Sequence, residues 1–140
     1  MKIAVLGYGT VGSGVVEVLD VNQKLIATRA KEEIEVKYVL DLRDFPGDKI
    51  QEKIVHDYEI ILNDPEIGIV VEVMGGVEPA NTFVRKALEA GKSVVTSNKA
   101  LVAKHGSALL KTAREKNVNF LFEASVGGGI PILRALGSSL

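Results

Sequence analysis

Short apolar runs alternate along this chain with longer stretches in which apolar residues recur every three or four positions. Residues 2–6, KIAVL, end at Gly7 and read as a strand buried on both faces. Residues 10–29 follow with helical spacing, because Val11, Val15, Val18, Leu19 and Leu25 can share one face. Residues 34–40, IEVKYVL, alternate and then turn apolar, which predicts a second strand. Residues 41–54 are polar, contain Pro46 and Gly47, and read as a loop with a short helix. YEIILNDPE has weak helical character and stops near Pro65. The β-branched run at 67–74, IGIVVEVM, predicts a third strand. Residues 79–91 read as a helix, with Pro79 near its first turn and Gly91 just past its end. KSVVTS predicts a fourth strand, NKALVAKHGSALLKTAREKN a helix broken near Gly106, and residues 118–124, VNFLFEA, a fifth strand.

Strand and helix thus alternate throughout, with helices long enough to serve as crossovers. The expected fold class is α/β, a doubly wound parallel sheet with helices on both faces. No repeat, linker or low-complexity segment interrupts it. The 140 residues fit one domain, and 46% hydrophobic residues suffice for a core. A formal charge of -1 gives no basic excess for nucleic acid. The absence of cysteine excludes disulfides and thiolate metal sites. No apolar run approaches the ~18 residues of a membrane span. The first residues, MKIAVLGYG, lack the cleavage site of a signal peptide. A cytoplasmic protein without membrane or nucleic-acid partners is expected.

GYGTVG places glycines at 7, 9 and 12 between the first strand and the first helix. That spacing in that context is the dinucleotide-binding turn of Rossmann-type domains. Gly7 permits the tight turn, Gly9 lets a pyrophosphate approach the backbone, and Gly12 lets helix and strand pack closely. The helix N-terminus then favours the negative charge. A purely structural glycine turn is the alternative. An acidic residue ending the second strand usually binds the adenosine ribose, and Asp41 stands there. Arg43 follows two residues later, with a planar fork suited to a 2′-phosphate. Asp41 favours NAD and Arg43 favours NADP. The choice stays open, with a lean to NADP, against the alternative that Arg43 is a solvated loop cation.

Two further segments fall at the carboxyl edge of the sheet, where ligands bind in such folds. Gly75 and Gly76 follow the third strand and would let the nicotinamide ribose lie close to backbone, unless they form a simple turn. Lys99 follows the fourth strand, within reach of a cofactor phosphate or a substrate carboxylate, or as a surface lysine. Asn98 is placed to cap the next helix. His56 and His105 are 49 positions apart (105 − 56) and read as surface residues outside any ligand motif.

In this order and spacing, GYGTVGSGV, VVEVMGG, SNKALVA and FEASVGGGIPI resemble the amino-terminal cofactor domain of homoserine dehydrogenase over nearly the whole chain. The resemblance implies an enzyme that interconverts L-homoserine and L-aspartate 4-semialdehyde with NAD(P), in the biosynthesis of threonine, isoleucine and methionine. It implies that Thr10 and Val11 contact the pyrophosphate through backbone and that Lys99 lies by cofactor and substrate. It also implies a monovalent cation, sodium, on the carbonyls of Glu123, Val126, Gly128 and Ile130. The triple glycine at 127–129 would let that backbone curl, and would leave room for a flat ring. An exit hinge is the plainer alternative for this stretch.

Residues 1–130 are accordingly expected to form the dinucleotide-binding domain, and residues 131–140 an exit helix toward a catalytic and dimerisation domain. The proton-transferring residues of the family lie in that second domain, so the 140-residue chain alone is expected to bind nucleotide without turnover. The full enzyme is expected to be a homo-oligomer. Two rivals remain: another amino-acid dehydrogenase, such as aspartate dehydrogenase, and a free-standing Rossmann domain that senses NAD(H).

Overall fold

The computed structural model describes residues 1–21 and 35–123. Six parallel strands form a single sheet in the order β3-β2-β1-β4-β5-β6. They are β1 Lys2–Leu6, β2 Glu35–Leu40, β3 Ile54–Val55, β4 Ile67–Glu72, β5 Ser93–Thr96 and β6 Phe120–Phe122. The helices are α1 Thr10–Val21, α2 Tyr58–Leu62, α3 Ala80–Glu89 and α4 Lys99–Lys116, with a 3-10 turn at Lys49–Lys53. The strand order is that of the Rossmann fold.

The continuous apolar strands follow from burial on both faces. Alternate residues of β1 point into different cores. Ile3 and Val5 join Val15 and Val16 of α1, Val36, Val39 and Ile50 on one face. Ala4 and Leu6 join Tyr58, Ile61, Val84, Leu88 and Leu109 on the other, under α2, α3 and α4. Side-chain capping fixes where several helices start. Asp57 accepts from Glu59 N–H at 3.0 Å, Asp48 from Ile50 N–H at 2.9 Å, and Asn98 from Leu101 N–H at 3.0 Å.

Three expectations change. The two-residue β3 begins at Ile54, the last residue of the stretch read as a loop with a short helix; it pairs with Val39 and Leu40 of β2. The strand expected over 67–74 ends at Glu72, where the backbone turns toward Gly75 and Gly76. The helix expected to break at Gly106 instead runs unbroken over 18 residues to Asn117, whose left-handed φ of 57° closes it. A cap at each end offsets the ~1 kcal/mol that an internal glycine costs. The expected exit helix at 131–140 and the later part of the first helix lie outside the described residues.

Candidate functional site

The turn after β1 is shaped by two glycines. Gly7 has φ +102°, and its N–H donates to Leu40 O at 2.8 Å. A Cβ at Gly12 would fall well inside van der Waals contact of Gly7 O, and 2.9 Å from its carbonyl carbon. This is how α1 comes so close to the end of β1. A Cβ at Gly9, by contrast, would meet nothing within 4 Å. Gly9 O accepts from Ser13 N–H at 2.9 Å, so α1 opens with Thr10 and Val11 in its first turn. The first N–H groups of a helix have no intrahelical acceptor and carry its positive dipole end.

Asp41 stands at the end of β2, across the turn from Gly9. Its carboxylate accepts four hydrogen bonds. Tyr8 N–H donates at 2.9 Å, Arg43 N–H at 2.9 Å, and the Arg43 Nε and Nη2 groups at 3.0 Å each. The Arg43 side chain above all, then the two backbone N–H groups, hold the Asp41 carboxyl well below the usual range, against the opposing effect of burial. Asp41 and Arg43 were read as competing signals; the structure joins them. The Arg43 guanidinium also lies 5.1 Å over the Phe45 ring, which meets Tyr8 edge-on at 4.9 Å. His56 closes the loop from the other side. Its Nδ1 lies 2.6 Å from Asp41 O and its Nε2 2.9 Å from Asp44 Oδ1. The bond to the Asp41 carbonyl is the main cause of its raised pKa, with the Asp44 carboxylate adding to it.

A cleft of about 510 Å³ opens at this edge of the sheet, lined by Gly7, Gly9, Asp41, Arg43, His56 and Met74 among others. It lies where β1 separates β2 from β4, at the point where the strand order reverses.

The far end of the edge is built around a buried carboxylate. Glu72 ends β4 and is fully buried. It accepts from Met74 N–H at 2.8 Å, from the Thr96 hydroxyl at 2.6 Å and from Asn98 Nδ2 at 3.5 Å. Asn98 Nδ2 also donates to Gly76 O, and Asn98 N–H donates to the Thr96 hydroxyl at 3.0 Å. Gly75 and Gly76 both have positive φ, +79° and +75°. Lys99 is exposed at the first position of α4. Glu123 N–H donates to Thr96 O at 2.9 Å. Val126, Gly128 and Ile130 lie outside the described residues. Among the described residues, no group of three or more His, Asp or Glu side chains could hold a metal ion.

The profile described as "Homoserine dehydrogenase, NAD binding domain" matches residues 7–123, from the first glycine of the turn to the end of the described chain. The chain belongs to this family. Homoserine dehydrogenase of Lactococcus lactis is 44% identical over 99% of the chain, which covers 34% of that protein. The enzyme of Pseudomonas aeruginosa is 44% identical over 100% of the chain, covering 32% of its length. Among solved structures, the homoserine dehydrogenase of Thiobacillus denitrificans is 42% identical, with a TM-score of 0.82 over 97% of the chain and 32% of its own. The chain therefore spans about a third of the relatives it matches.

In this homoserine dehydrogenase NAD-binding domain, the structure brings Gly7, Gly9, Asp41 and Arg43 to one cleft, while Gly12 lies behind it at the contact of α1 with Gly7. Gly75 falls on the loop that leaves β4, and Lys99 opens the helix that follows β5. Sequence reasoning missed Glu72 and Thr96. The available signal was a carboxylate closing an otherwise apolar, β-branched strand, since a carboxylate is seldom fully buried without dedicated donors. It also left His56 as a plain surface residue. His56 is exposed, yet both ring nitrogens are engaged at the cleft. No helix among the described residues is long and apolar enough to cross a membrane.

Proposed function

We propose that this domain holds NAD(P) for an enzyme that interconverts L-homoserine and L-aspartate 4-semialdehyde in the cytoplasm. The observation that carries this reading is the 44% identity to homoserine dehydrogenases over the whole chain. The geometry of the cleft supports it. The open space at Gly9 and the first turn of α1 fit a pyrophosphate, with Thr10 and Val11 donating through backbone. When bound, the nicotinamide ring supplies the hydride chemistry, and the domain supplies position and electrostatics. Gly75 and Lys99 flank the nicotinamide half in this reading. A sodium ion on the carbonyls of Glu123, Val126, Gly128 and Ile130, and a homo-oligomeric full enzyme, rest on the resemblance alone.

For the cofactor we favour NADP. Every lone-pair direction of the Asp41 carboxylate is already taken by an N–H donor, which leaves little for a ribose hydroxyl. Arg43 keeps the outer edge of its guanidinium toward solvent, with its side chain 62% exposed. That edge suits bidentate capture of a 2′-phosphate. Calorimetric titration with NADPH and NADH at fixed salt tests both readings. NADPH is expected to bind more tightly, and Arg43→Ala to remove roughly tenfold of that preference. Tighter binding of NADH would overturn the NADP assignment. Absence of binding by either would overturn the cofactor reading.

A further inference from the structure

A fully buried carboxylate is a costly way to end a strand. A carboxyl group taken out of water is destabilising unless donors replace its hydration. Glu72 has those donors, and among the described residues it forms no ion pair with a lysine, arginine or histidine. The other residues of β4 after Gly68 are Ile69, Val70 and Val71, so a further apolar residue would complete the core. The donors come instead from separate segments at the carboxyl edge: Met74 N–H on the exit from β4, Thr96 at the end of β5, and the Asn98 amide.

Asn98 spreads the restraint in two directions. Its amide nitrogen holds Gly76 O, and its amide oxygen caps α4 through Leu101 N–H at 3.0 Å. One carboxylate thus ties the Gly75–Gly76 turn to the first turn of α4, where Lys99 stands. The hydrogen bonds around Asp41 form a separate set, made with Tyr8 and Arg43 and sharing no residue with Glu72.

We propose that Glu72 is a positioning residue for the nicotinamide half of the cofactor, acting through Asn98 and the Gly75–Gly76 turn. It touches neither cofactor nor substrate. It fixes the separation of the two loops between which the nicotinamide ribose lies, and it leaves the adenosine half to Asp41, Arg43 and the glycine turn. This rests on the cofactor reading above.

Two ligands divide the cleft: NADPH spans both halves, and adenosine 2′,5′-bisphosphate occupies the adenosine half alone. Both are titrated calorimetrically into the wild-type protein, Glu72→Gln and Asn98→Ser. Glutamine places an amide against one of the donors that glutamate satisfies, so one hydrogen bond is lost. Serine keeps an oxygen for the cap of α4 and removes the amide links to Glu72 and Gly76. Each variant is expected to bind NADPH about tenfold more weakly. Each should hold adenosine 2′,5′-bisphosphate within about twofold of wild type, as distant, independent sites do. Parallel weakening of both ligands would mean a general structural role, and unchanged NADPH binding would mean no role; either result overturns the proposal. If Glu72→Gln does not fold, the two ligands on Asn98→Ser decide it alone. A wild-type protein that binds neither ligand removes the cofactor reading and this inference with it, whereas a defect confined to the variants concerns Glu72 only.

Discussion

Gly9 and Gly12 sit three residues apart in one turn, yet the space around them differs. Alanine at position 12 drives a methyl group into the Gly7 carbonyl, which is backbone and cannot rotate away. Gly12→Ala is expected to lower the free energy of unfolding by about 2–3 kcal/mol, in the range of overpacked cores. Alanine at position 9 meets nothing within 4 Å, at a residue that lines the cleft. Gly9→Ala should therefore leave stability within about 0.5 kcal/mol while weakening NADPH binding at least tenfold, about 1.4 kcal/mol. Urea denaturation and calorimetry on the two variants check this pair, and a stability loss at Gly9 matching that at Gly12 would contradict it. The spacing of the glycines was legible because Gly7 and Gly12 answer steric demands of the turn, while Gly9 leaves open space beside it. The pairing of Asp41 with Arg43 was not, since two positions of separation say nothing about whether side chains face each other or a ligand.

At the level of elements, the loop from Asp41 to His56 responds to pH. Both His56 nitrogens face acceptors, a carbonyl and a carboxylate, so both hydrogen bonds form only when the ring carries both protons. The folded pKa is raised above the unfolded value near 6.5. The stability this supplies is fully present below ~6.5 and is lost as pH rises through the folded pKa. The charged groups facing the ring are Asp41 and Asp44. The urea midpoint is expected to fall between about pH 6 and 8, and His56→Gln to flatten that slope. A slope unchanged in the variant would assign it to other groups.

The strands β1, β4 and β5 were legible because burial on both faces writes a short apolar run, and β2 because it alternates before turning apolar. β3 was not, because two residues cannot carry a period, and Ile54 and Val55 are strand only by virtue of their neighbour Val39–Leu40. Gly106 misled for a related reason. Its local preference argued for a break, while the caps at Asn98 and Asn117 and the packing of α4 on α3 decided otherwise. Glu72 escaped because the apolar pattern resumes at Val73 and Met74, so the strand was read straight through the carboxylate.

Across the whole molecule, the cleft lies on the seam between two cores. Ile3 and Val5 belong to one and Ala4 and Leu6 to the other. A dinucleotide laid across the edge therefore touches loops anchored in both. At a hundredfold excess over Kd, NADPH should add about 2.7 kcal/mol and raise Tm by roughly 5–10 °C for a domain of this size. Differential scanning calorimetry reads that shift, and it should shrink in Gly9→Ala at the same ligand concentration.

The central place of β1 in the sheet also dictates a timetable. Its neighbours are β2, where Lys2 pairs with Glu35, and β4, where Leu6 pairs with Glu72. At ~5–20 residues per second of synthesis, the second partner arrives several seconds after the first strand is made. During that interval β1 has β2 for one neighbour and an open apolar edge on the other side. Nascent chains halted before Glu72 should accordingly be the ones that recruit chaperones, and chains halted well beyond it should not.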